Sequence, residues 1–256
     1  MTYRHDSDIP YTYGIFEDIL NPYQYPPREG ELRQSWPVTF NKTTVLEAFK
    51  TKGKEFFNLA KRPKKVAWIV SNCHTHSERE KYAKTLKKFI QVDILGACGD
   101  VACEKFGNHV DNCTKILESD YKFYLSFENS VCKDYISEKF FMRANLNVVL
   151  VVLGGGNYSQ VAPPHSYINA LDFEGPQQLA EYLLHLDQDY LEYLSYFWWK
   201  DHYKSQWTWN YQNKAWCRLC KMLNDPSEPP KVYSDLDDWW RGQSNCQQGR
   251  LLPWYT

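Results

Sequence analysis

Residues 121–156, "YKFYLSFENSVCKDYISEKFFMRANLNVVLVVLGGG", form the part of the chain that best defines its fold. Two apolar runs within it, "KFYLSFE" and "VVLVVLGGG", have the length and composition of buried strands. A polar segment between them leads into "FFMRANL", a predicted helix that begins near Glu138 and Lys139. Strand, helix and strand in alternation indicate an α/β domain.

The sequence upstream shows the same alternation. "KKVAWIVSN" at 64–72 is a buried-strand pattern that ends in small polar residues. "SEREKYAKTLKKFI" follows as a predicted helix, with Ser77 as N-cap and with Tyr82, Leu86 and Phe89 on one face. "VDILGACG" is the next predicted strand. This β-α-β unit predicts a parallel sheet with a right-handed crossover.

The remaining segments are less regular. Residues 44–62 have apolar residues at helical spacing, and 175–200 predict one long amphipathic helix or a pair of helices. Residues 206–256 are rich in Trp, Pro and Cys and have weak periodicity. We therefore predict a doubly wound α/β domain over roughly 60–200.

Polar side chains follow two of the predicted strands at the point where each strand ends. Ser71 and Asn72 follow the first strand, and Glu128 and Asn129 follow the central one. In doubly wound sheets, ligands bind at the carboxyl ends of the strands. Buried polar groups are costly unless they are hydrogen-bonded, so a polar ligand at this edge would satisfy them.

The composition excludes no fold but argues against two classes of partner. The 256 residues include 30 basic and 31 acidic side chains, a net charge of −1 that favours neither nucleic acid nor an anionic membrane. The longest apolar run, residues 148–153, is far shorter than the roughly 20 residues of a membrane-spanning helix. The N-terminal "MTYRHDSDIPYTYG" lacks the features of a signal peptide, so these features alone predict a soluble, cytosolic protein.

The cysteines favour a different compartment. Eight are present, and they cluster as disulfide frameworks often do. They are Cys73, Cys98, Cys103, Cys113, Cys132, Cys217, Cys220 and Cys246. N-glycosylation sequons occur at Asn41, Asn112 and Asn157. We predict a protein of an oxidising compartment whose targeting segment is absent from this sequence, with a cytosolic protein of reduced thiols as the alternative.

Individual motifs are weak when each is taken singly. Arg79 could hold a phosphate in bidentate fashion, but its spacing in "EREK" favours a solvated helix residue. Lys139 and Glu138 could bind a phosphate and a sugar hydroxyl, or they could be an exposed pair at a helix start. "GGG" at 154–156 follows a strand but lacks the spacing of a dinucleotide-binding motif.

Metal-binding patterns are also weak. DxD triplets occur at 6–8, 187–189 and 235–237, and none follows a convincing strand. Cys73, His74 and His76 lack a second pair of ligands nearby, and Cys217-x-x-Cys220 is only half of a zinc site. We therefore predict no metal site and prefer disulfides for the tail cysteines.

The run "YKFYLSFENSVCKDYISEKFF" resembles the signature of the α1,3-fucosyltransferases, an inverting family that transfers fucose from GDP-fucose. "TYRHDSDIPYTYG", "VAWIVSNC", "VDILGACG", "PPHSYINALDF" and "YLSYFWWK" agree in order, so the similarity covers nearly all of 1–205. The tail "CRLCKML…DLDDWW" looks most like that of invertebrate and plant members that fucosylate the core of N-glycans.

The resemblance implies a GT-B fold of two Rossmann-like lobes, the C-terminal one binding GDP-fucose without an obligatory metal. Residues 1–45 would be a remnant of the N-terminal acceptor lobe, 46–205 the Rossmann-like donor domain and 206–256 a Cys/Trp-rich tail. It also implies an N-glycan or glycoprotein acceptor, and a Golgi location through a membrane anchor that this sequence lacks.

Nine positions match donor-binding residues of the family. They are Tyr13, Ser71, Asn72, Arg79, Tyr124, Glu128, Asn129, Glu138 and Lys139. The resemblance assigns Arg79 and Lys139 to the diphosphate, Glu138 to ribose or fucose hydroxyls, and Tyr13 to the nucleotide. Electrostatic stabilisation of the leaving diphosphate would be the centre of the mechanism.

An inverting transfer also needs a carboxylate that accepts the proton of the attacking hydroxyl. The resemblance places this base in a FESP-like motif upstream of Met1, and the sequence contains no such segment. Asp6 and Asp8 have equivalents beside the family's glutamate, so neither is predicted to replace it. We expect a chain that binds donor but transfers fucose poorly, or a non-catalytic GDP-sugar-binding module; a disulfide-stabilised interaction protein is a third hypothesis.

Two structural expectations follow from the missing lobe. The first is an exposed apolar patch on 1–45, formed by Tyr11, Tyr13, Phe16 and Leu20. The second is that the three tail cysteines pair among themselves and leave one unpaired.

Overall fold

The computed structural model describes residues 1–22, 36–51, 58–103, 105–106, 110–207 and 209–248. Within these ranges the strands are β1 (Gly14–Asp18), β2 (Lys64–Ile69), β3 (Val92–Leu95), β4 (Lys105–Phe106), β5 (Val110–Asp111), β6 (Tyr121–Phe127), β7 (Val149–Leu153), β8 (Tyr167–Asn169) and β9 (Tyr203–Trp207). The α-helices are α1 (Lys42–Thr51), α2 (Arg79–Leu86), α3 (Asn112–Asp120), α4 (Glu138–Ala144), α5 (Tyr158–Val161), α6 (Pro176–Gln188), α7 (Tyr190–Ser195) and α8 (Trp209–Leu223).

The central sheet has the order β3-β2-β6-β7-β8, and all neighbouring pairs are parallel. The order reverses between β2 and β6, because β3 lies on one side of β2 and the other strands lie on the opposite side. Such a reversal is the switch point of a doubly wound sheet, where ligands bind outside the carboxyl ends of the strands. The predicted α/β, doubly wound fold is confirmed.

The two central strands form the core. Every residue of β6 and of β7 is buried, as expected for parallel strands covered on both faces. Helix α2 packs against α6, while α4 contacts β6 and β7 and also β1 and β9. No helix in the described ranges is long and apolar enough to cross a membrane.

The start of α2 differs from the prediction. The helix begins at Arg79, and its N-cap is Glu78 in a left-handed conformation with φ of 51°. The predicted N-cap, Ser77, is fully buried and donates its hydroxyl to the Glu128 carbonyl oxygen at 2.7 Å. Its side chain therefore connects two loops instead of capping the helix.

Other helix predictions are confirmed in part. Tyr82 and Leu86 are buried on α2, but the helix ends there and Phe89 is 43% exposed. The helix predicted over 44–62 overlaps α1, which begins two residues earlier, and residues 52–57 lie outside the described residues. Residues 175–200 form the pair of helices α6 and α7, followed by a 3₁₀ turn.

The N-terminal segment is part of the packed structure. Strand β1 pairs antiparallel with β9. Phe16 on β1 is 2% exposed and packs against the rings of Phe140, Phe141 and Trp199. The prediction that Phe16 belongs to an exposed apolar patch is therefore wrong, because β9 and α4 supply packing partners for its ring. Leu20, just beyond β1, is 86% exposed as expected.

The tail contains more regular structure than its weak periodicity suggested. It begins with the 15-residue helix α8. It then returns to the core, where the backbone N–H of Lys133 donates to the Ser244 carbonyl oxygen at 2.8 Å. At the other end of the chain, Arg4 is fully buried, and its guanidinium lies 4.4 Å from the centre of the Trp239 ring.

Three disulfides form, and they correct the prediction for the tail cysteines. The pairs are Cys73–Cys98, Cys103–Cys113 and Cys132–Cys246. Cys217 and Cys220 are free and exposed on α8. Residues three apart on a helix have Cβ atoms about 5–6 Å apart, farther than the roughly 3.8 Å of a disulfide. Cys246 is unavailable to either thiol because it is bonded to Cys132.

Candidate functional site

The carboxyl ends of β2 and β6 meet at the Arg79 side chain. Arg79 is 3% exposed, so the interpretation as a solvated helix residue is wrong. Its Nη1 donates to the Phe127 carbonyl oxygen at 2.5 Å, and its Nη2 donates to that of Asn72 at 3.4 Å. The guanidinium therefore lies at the switch point of the sheet.

The loops around this guanidinium are fixed by further contacts. The backbone N–H of Ser77 donates to the Asn129 carbonyl oxygen at 3.1 Å. The Cys73–Cys98 disulfide joins the loops that follow β2 and β3. The side chains of Ser71 and Asn72 are exposed at the end of β2. They remain accessible at the edge where the sequence predicted the ligand.

Glu128 and Lys139 form the second part of the site. Glu128 has no solvent exposure, and its two carboxylate oxygens accept hydrogen bonds from the Ser137 backbone N–H and hydroxyl, each at 2.7 Å. Lys139 Nζ donates to Ser137 Oγ at 2.9 Å and lies 3.7 Å from a Glu128 carboxylate oxygen. It also contacts Glu138 Oε1 at 3.2 Å. The predicted start of α4 at Glu138 is confirmed, with Ser137 as N-cap.

Burial dominates the electrostatics of the site. It raises the pKa of the Glu128 carboxyl, and the Lys139 charge and the Ser137 hydrogen bonds only partly oppose that rise. It lowers the pKa of Arg79, against the opposing effect of the Glu128 charge. Tyr124 is buried within β6, and burial raises its pKa although Arg143 acts in the opposite direction.

Three buried polar atoms at this edge have no hydrogen-bond partner among the described residues: Arg79 Nε, Asn129 Oδ1 and the Tyr158 hydroxyl. Buried donors and acceptors are normally paired, so unpaired ones indicate positions where a ligand could bind. A Cβ atom at Gly154 would lie 2.8 Å from the Tyr158 hydroxyl and 3.1 Å from Glu128 Cγ. The hydroxyl and the carboxylate side chain are therefore close neighbours.

The glycine run after β7 has a packing role. A Cβ atom at Gly155 would lie 2.6 Å from the Cys132 carbonyl oxygen, which is too close for any other residue. The loop that carries Glu128 can therefore lie directly against the end of β7. The "GGG" pattern was informative, but for backbone approach and not for dinucleotide binding.

Tyr13 reaches this region through Tyr135. Their ring centroids are 6.1 Å apart in an edge-to-face arrangement. Burial raises the pKa of Tyr13, and the charges of Glu138 and Glu128 raise it further. The structure thus groups five of the nine predicted positions, Arg79, Glu128, Asn129, Glu138 and Lys139, around the end of β6. Ser71 and Asn72 lie at its rim, Tyr124 lies beneath it, and Tyr13 lies beyond Tyr135.

Most carboxylates of the DxD triplets are held in ion pairs. Asp187 contacts Lys65 and Lys122, each at 2.5 Å, and Asp6 contacts Arg4 at 2.5 Å. Asp8 contacts Lys231 at 2.7 Å, Asp237 contacts Arg241 at 3.0 Å, and Asp189 caps α7.

One group of metal-ligand type occurs away from the site in the described part of the chain. The ligand atoms of His185, Asp189 and Glu192 lie within 4.8 Å of one another. Two of these residues are exposed, and Glu192 also pairs with Lys42 at 3.5 Å. The group lies at the junction of α6 and α7.

The sequons lie at helix starts. Asn41 is exposed, and its side chain accepts a hydrogen bond from the Thr44 backbone N–H at 3.1 Å. Asn157 is exposed and caps α5 through the Ser159 N–H. Asn112 is half-buried at the start of α3. Glycosylation of these positions stays a prediction.

Sequence reasoning missed three residues of the site: Ser137, Tyr135 and Tyr158. Ser137 could have been found, since a Ser directly before Glu138 is a common N-cap signal. The two tyrosines carry no local signal, because only the folded loops bring them beside Glu128.

Comparison with known proteins fits this geometry. Residues 59–239 match the family described as "Glycosyltransferase family 10 (fucosyltransferase) C-term". The chain is 47% identical over 251 residues to "Glycoprotein 3-alpha-L-fucosyltransferase A" of Drosophila melanogaster, covering 96% of this chain and 43% of that protein. It is 39% identical over 249 residues to "Alpha-(1,3)-fucosyltransferase C" of the same species, covering 96% of this chain and 54% of that protein.

Solved structures agree on the fold. A crystal structure of an α1,3-fucosyltransferase with GDP-fucose aligns with a TM-score of 0.53 at 20% identity, covering 83% of this chain and 61% of that one. The chain spans about half the length of the curated relatives it matches. Its doubly wound sheet is the Rossmann-like lobe of a GT-B fold, and the chain belongs to glycosyltransferase family 10, the fucosyltransferases.

Proposed function

We propose that this chain is the donor-binding part of an α1,3-fucosyltransferase, which binds GDP-fucose at the carboxyl ends of β2 and β6. The observation that carries this proposal is the arrangement of Arg79, Glu128 and Lys139 around buried polar atoms that lack partners. The acceptor that we propose is an N-glycan or glycoprotein, in line with the name of the 47%-identical Drosophila relative.

Lys139 is the group best suited to the diphosphate. An ammonium has three donors, and two of them bond to Ser137 Oγ and Glu138 Oε1 at 2.9 and 3.2 Å. The Glu128 carboxylate lies 3.7 Å from Nζ, beyond hydrogen-bond distance, so the third donor can turn to a phosphate oxygen. The side chain is 26% exposed. As the bond between fucose and phosphate breaks, negative charge grows on the diphosphate, and a fixed cation beside it lowers the barrier.

Arg79 supports the donor site from its buried side. Its two Nη atoms hold the ends of β6 and the β2 loop, which leaves Nε as the buried donor without a partner. Ser71, Asn72 and Asn129 supply polar groups around the nucleotide, and Glu138 supplies a carboxylate for a ribose or fucose hydroxyl. No step in this scheme depends on a metal ion.

A second candidate, donor binding without transfer by this chain, is favoured by the state of Asp6 and Asp8, two carboxylates of the N-terminal segment. Burial alone would raise the pKa of Asp6, but the hydrogen bonds and charges of Arg4 and Lys133 hold it below its usual value. Lys231 and Tyr233 likewise hold the pKa of Asp8 low against the effect of burial. Carboxylates stabilised as anions in this way are weak general bases.

The compartment that we propose is the Golgi lumen. Three disulfides support it, since such bonds persist in oxidising compartments and are rare in the cytosol. Immunofluorescence of the tagged natural protein with a Golgi marker is the measurement, and a diffuse cytosolic signal would contradict the proposal.

The donor site is tested by calorimetric titration of the chain with GDP and with GDP-fucose. We expect both to bind, and Lys139→Ala to weaken GDP binding by at least about tenfold, because hydrogen bonds to charged groups contribute about 1.5–3 kcal/mol. Lys84→Ala, which removes an exposed lysine of α2, is the control and should bind normally. Absence of GDP binding, or equal affinity in Lys139→Ala, would refute the donor site.

Fucose transfer is then measured with an N-glycan acceptor and this chain. Binding without turnover supports the second candidate. Robust turnover would refute it and would show that this chain transfers fucose as well as binding the donor.

A further inference from the structure

A wide aromatic cavity lies between the N-terminal segment and the tail. Its volume is about 860 Å³, within the range of about 300–1,000 Å³ for small-molecule sites. Five aromatic side chains line it, Tyr3, Tyr11, Tyr13, Trp239 and Trp240. Of these five, only Tyr13 is among the predicted donor-binding residues.

The rings are held in place by their packing. Tyr3 packs edge-to-face against Trp240 with ring centroids 5.4 Å apart, and against Tyr135 at 5.1 Å. Trp239 packs against the buried Arg4 guanidinium. Trp240 is 38% exposed, so part of its indole surface is open to a ligand. Rings fixed in this way lose little conformational freedom when a ligand binds.

The charge of the lining favours a neutral ligand. Asp237 and Arg241 are the charged side chains among the described lining residues, and they pair with each other at 3.0 Å. Because the two are paired, the described lining offers a diphosphate no unpaired cationic side chain. The donor site differs in this respect, because it has a lysine with a donor still available.

A saccharide matches these properties. One face of a pyranose ring carries C–H groups of weak positive polarity, and the face of an aromatic ring is negative, so the two stack. Hydroxyl groups at the ring edge can bond to the Asp237 and Arg241 side chains. Tyr13 lies on the cavity wall and also packs against Tyr135 of the donor region, so the two sites are adjacent.

We propose that this cavity binds a neutral oligosaccharide, and that it holds the acceptor glycan beside the donor. The binding follows from the cavity itself, while its role as acceptor site rests on the proposed function above. The tail that supplies Trp239 and Trp240 would then help to determine which glycan is accepted.

The test is titration of the complete chain with N,N′-diacetylchitobiose, followed by tryptophan fluorescence, with GDP titrated separately. We expect saturable binding, and we expect Trp240→Ala to weaken it by about tenfold, as for the loss of one aromatic contact. Trp240→Phe should retain most of the affinity, which excludes a general folding defect. Trp216→Ala, at an exposed position outside the cavity, is the control and should bind as wild type.

The two proposals fail in different ways. If the cavity proposal is right, Trp240→Ala binds GDP normally and Lys139→Ala binds the disaccharide normally. Absence of disaccharide binding by the wild type, an equal loss in Trp216→Ala, or competitive displacement by GDP would overturn the cavity proposal. A dimer in sedimentation that dissociates in Trp240→Ala would also overturn it, because the cavity would then be a contact between copies of the chain.

Discussion

Glu128 is a buried carboxylate at the donor site, and its burial has an energetic cost. Its carboxylate is fully buried, and its neighbours are Ser137 and Lys139. Removal of a carboxylate from water costs on the order of several kcal/mol, which one cation and two hydrogen bonds offset only in part. The raised pKa is the result. The protein therefore retains a group that weakens it when ionised, which is typical of functional sites.

Glu128→Gln should change how stability depends on pH. A carboxyl whose pKa is raised on folding stabilises the protein below its unfolded pKa, and this contribution is lost as pH rises through the folded pKa. We expect the wild type to lose up to about 1.4 kcal/mol per pH unit within that window relative to the variant. Urea unfolding at a series of pH values measures this. Parallel curves for the two proteins would mean that Glu128 has no raised pKa.

His165 should change the pH dependence of stability in the direction opposite to that of Glu128. Its ring is stacked between Phe40 and Tyr196, with both centroid distances 4.0 Å. Burial lowers its pKa to about 4. Its stabilising contribution is complete above the unfolded value of about 6.5 and is lost as pH falls through the folded value, about 3 kcal/mol in total.

His165→Asn tests this contribution, since Asn tolerates the left-handed backbone at this position, where φ is 56°. Relative to the variant, we expect the wild type to lose stability as pH falls from about 6.5 to 4, whatever the variant's stability at neutral pH. His76→Asn, at an exposed position, should keep the wild-type slope. An unchanged slope in His165→Asn would show that another group is responsible.

The sequence predicted the site residues unevenly, and Arg79 explains why. Spacing alone favoured a solvated helix residue, because periodicity gives the face of a helix but not how deeply its end is inserted. Phosphate binding was the alternative from the residues alone, and the resemblance is what favoured it. Glu128 and Lys139 were identified from the same motif, yet their link through Ser137 depends on a loop conformation that no periodic pattern encodes.

At the scale of elements, apolar continuity decided what could be predicted. β6 and β7 are uninterrupted apolar runs, and both were correctly predicted as strands because parallel strands are buried on both faces. The pairing of β1 with β9 was not predicted, since it joins opposite ends of the chain and depends on tertiary contacts. Helix α8 was also missed, although apolar residues such as Ala215, Leu219 and Leu223 recur in it at helical spacing.

Phe16→Ala tests whether β1 is an integral element of this fold. Truncation of a buried phenylalanine costs about 3–5 kcal/mol, and Phe16 contacts three aromatic rings of α4 and the segment before β9. We expect a loss of this size in chemical unfolding. Leu20→Ala, four residues away but 86% exposed, should change stability by less than about 0.5 kcal/mol. Similar small effects for both would mean that β1 is only loosely attached.

At the scale of the whole molecule, the tail and the N-terminal segment enclose the loop that carries the donor residues. Cys246 is bonded to Cys132, four residues from Glu128 along the chain. Gln247 bridges to Val131, and Arg4 contacts the Trp239 carbonyl oxygen. Distant ends of the chain thus meet at one place, and the same contacts form the wall of the aromatic cavity.

Cys246→Ser should therefore weaken both the fold and the cavity. The disulfide closes a loop of 114 residues, and bonds of this kind contribute about 2–5 kcal/mol, chiefly by restricting the unfolded chain. We expect a loss in this range by chemical unfolding, together with weaker disaccharide binding, since Trp239 and Trp240 lie on the tail that is released. GDP binding should fall less, because Lys139 and Arg79 are held by contacts outside the tail.

Cys217→Ser removes a free, exposed thiol and is the matched control. If Cys246→Ser left disaccharide binding unchanged, the tail would keep its position without the disulfide, and its other contacts to Val131 and Arg4 would be sufficient to form the wall.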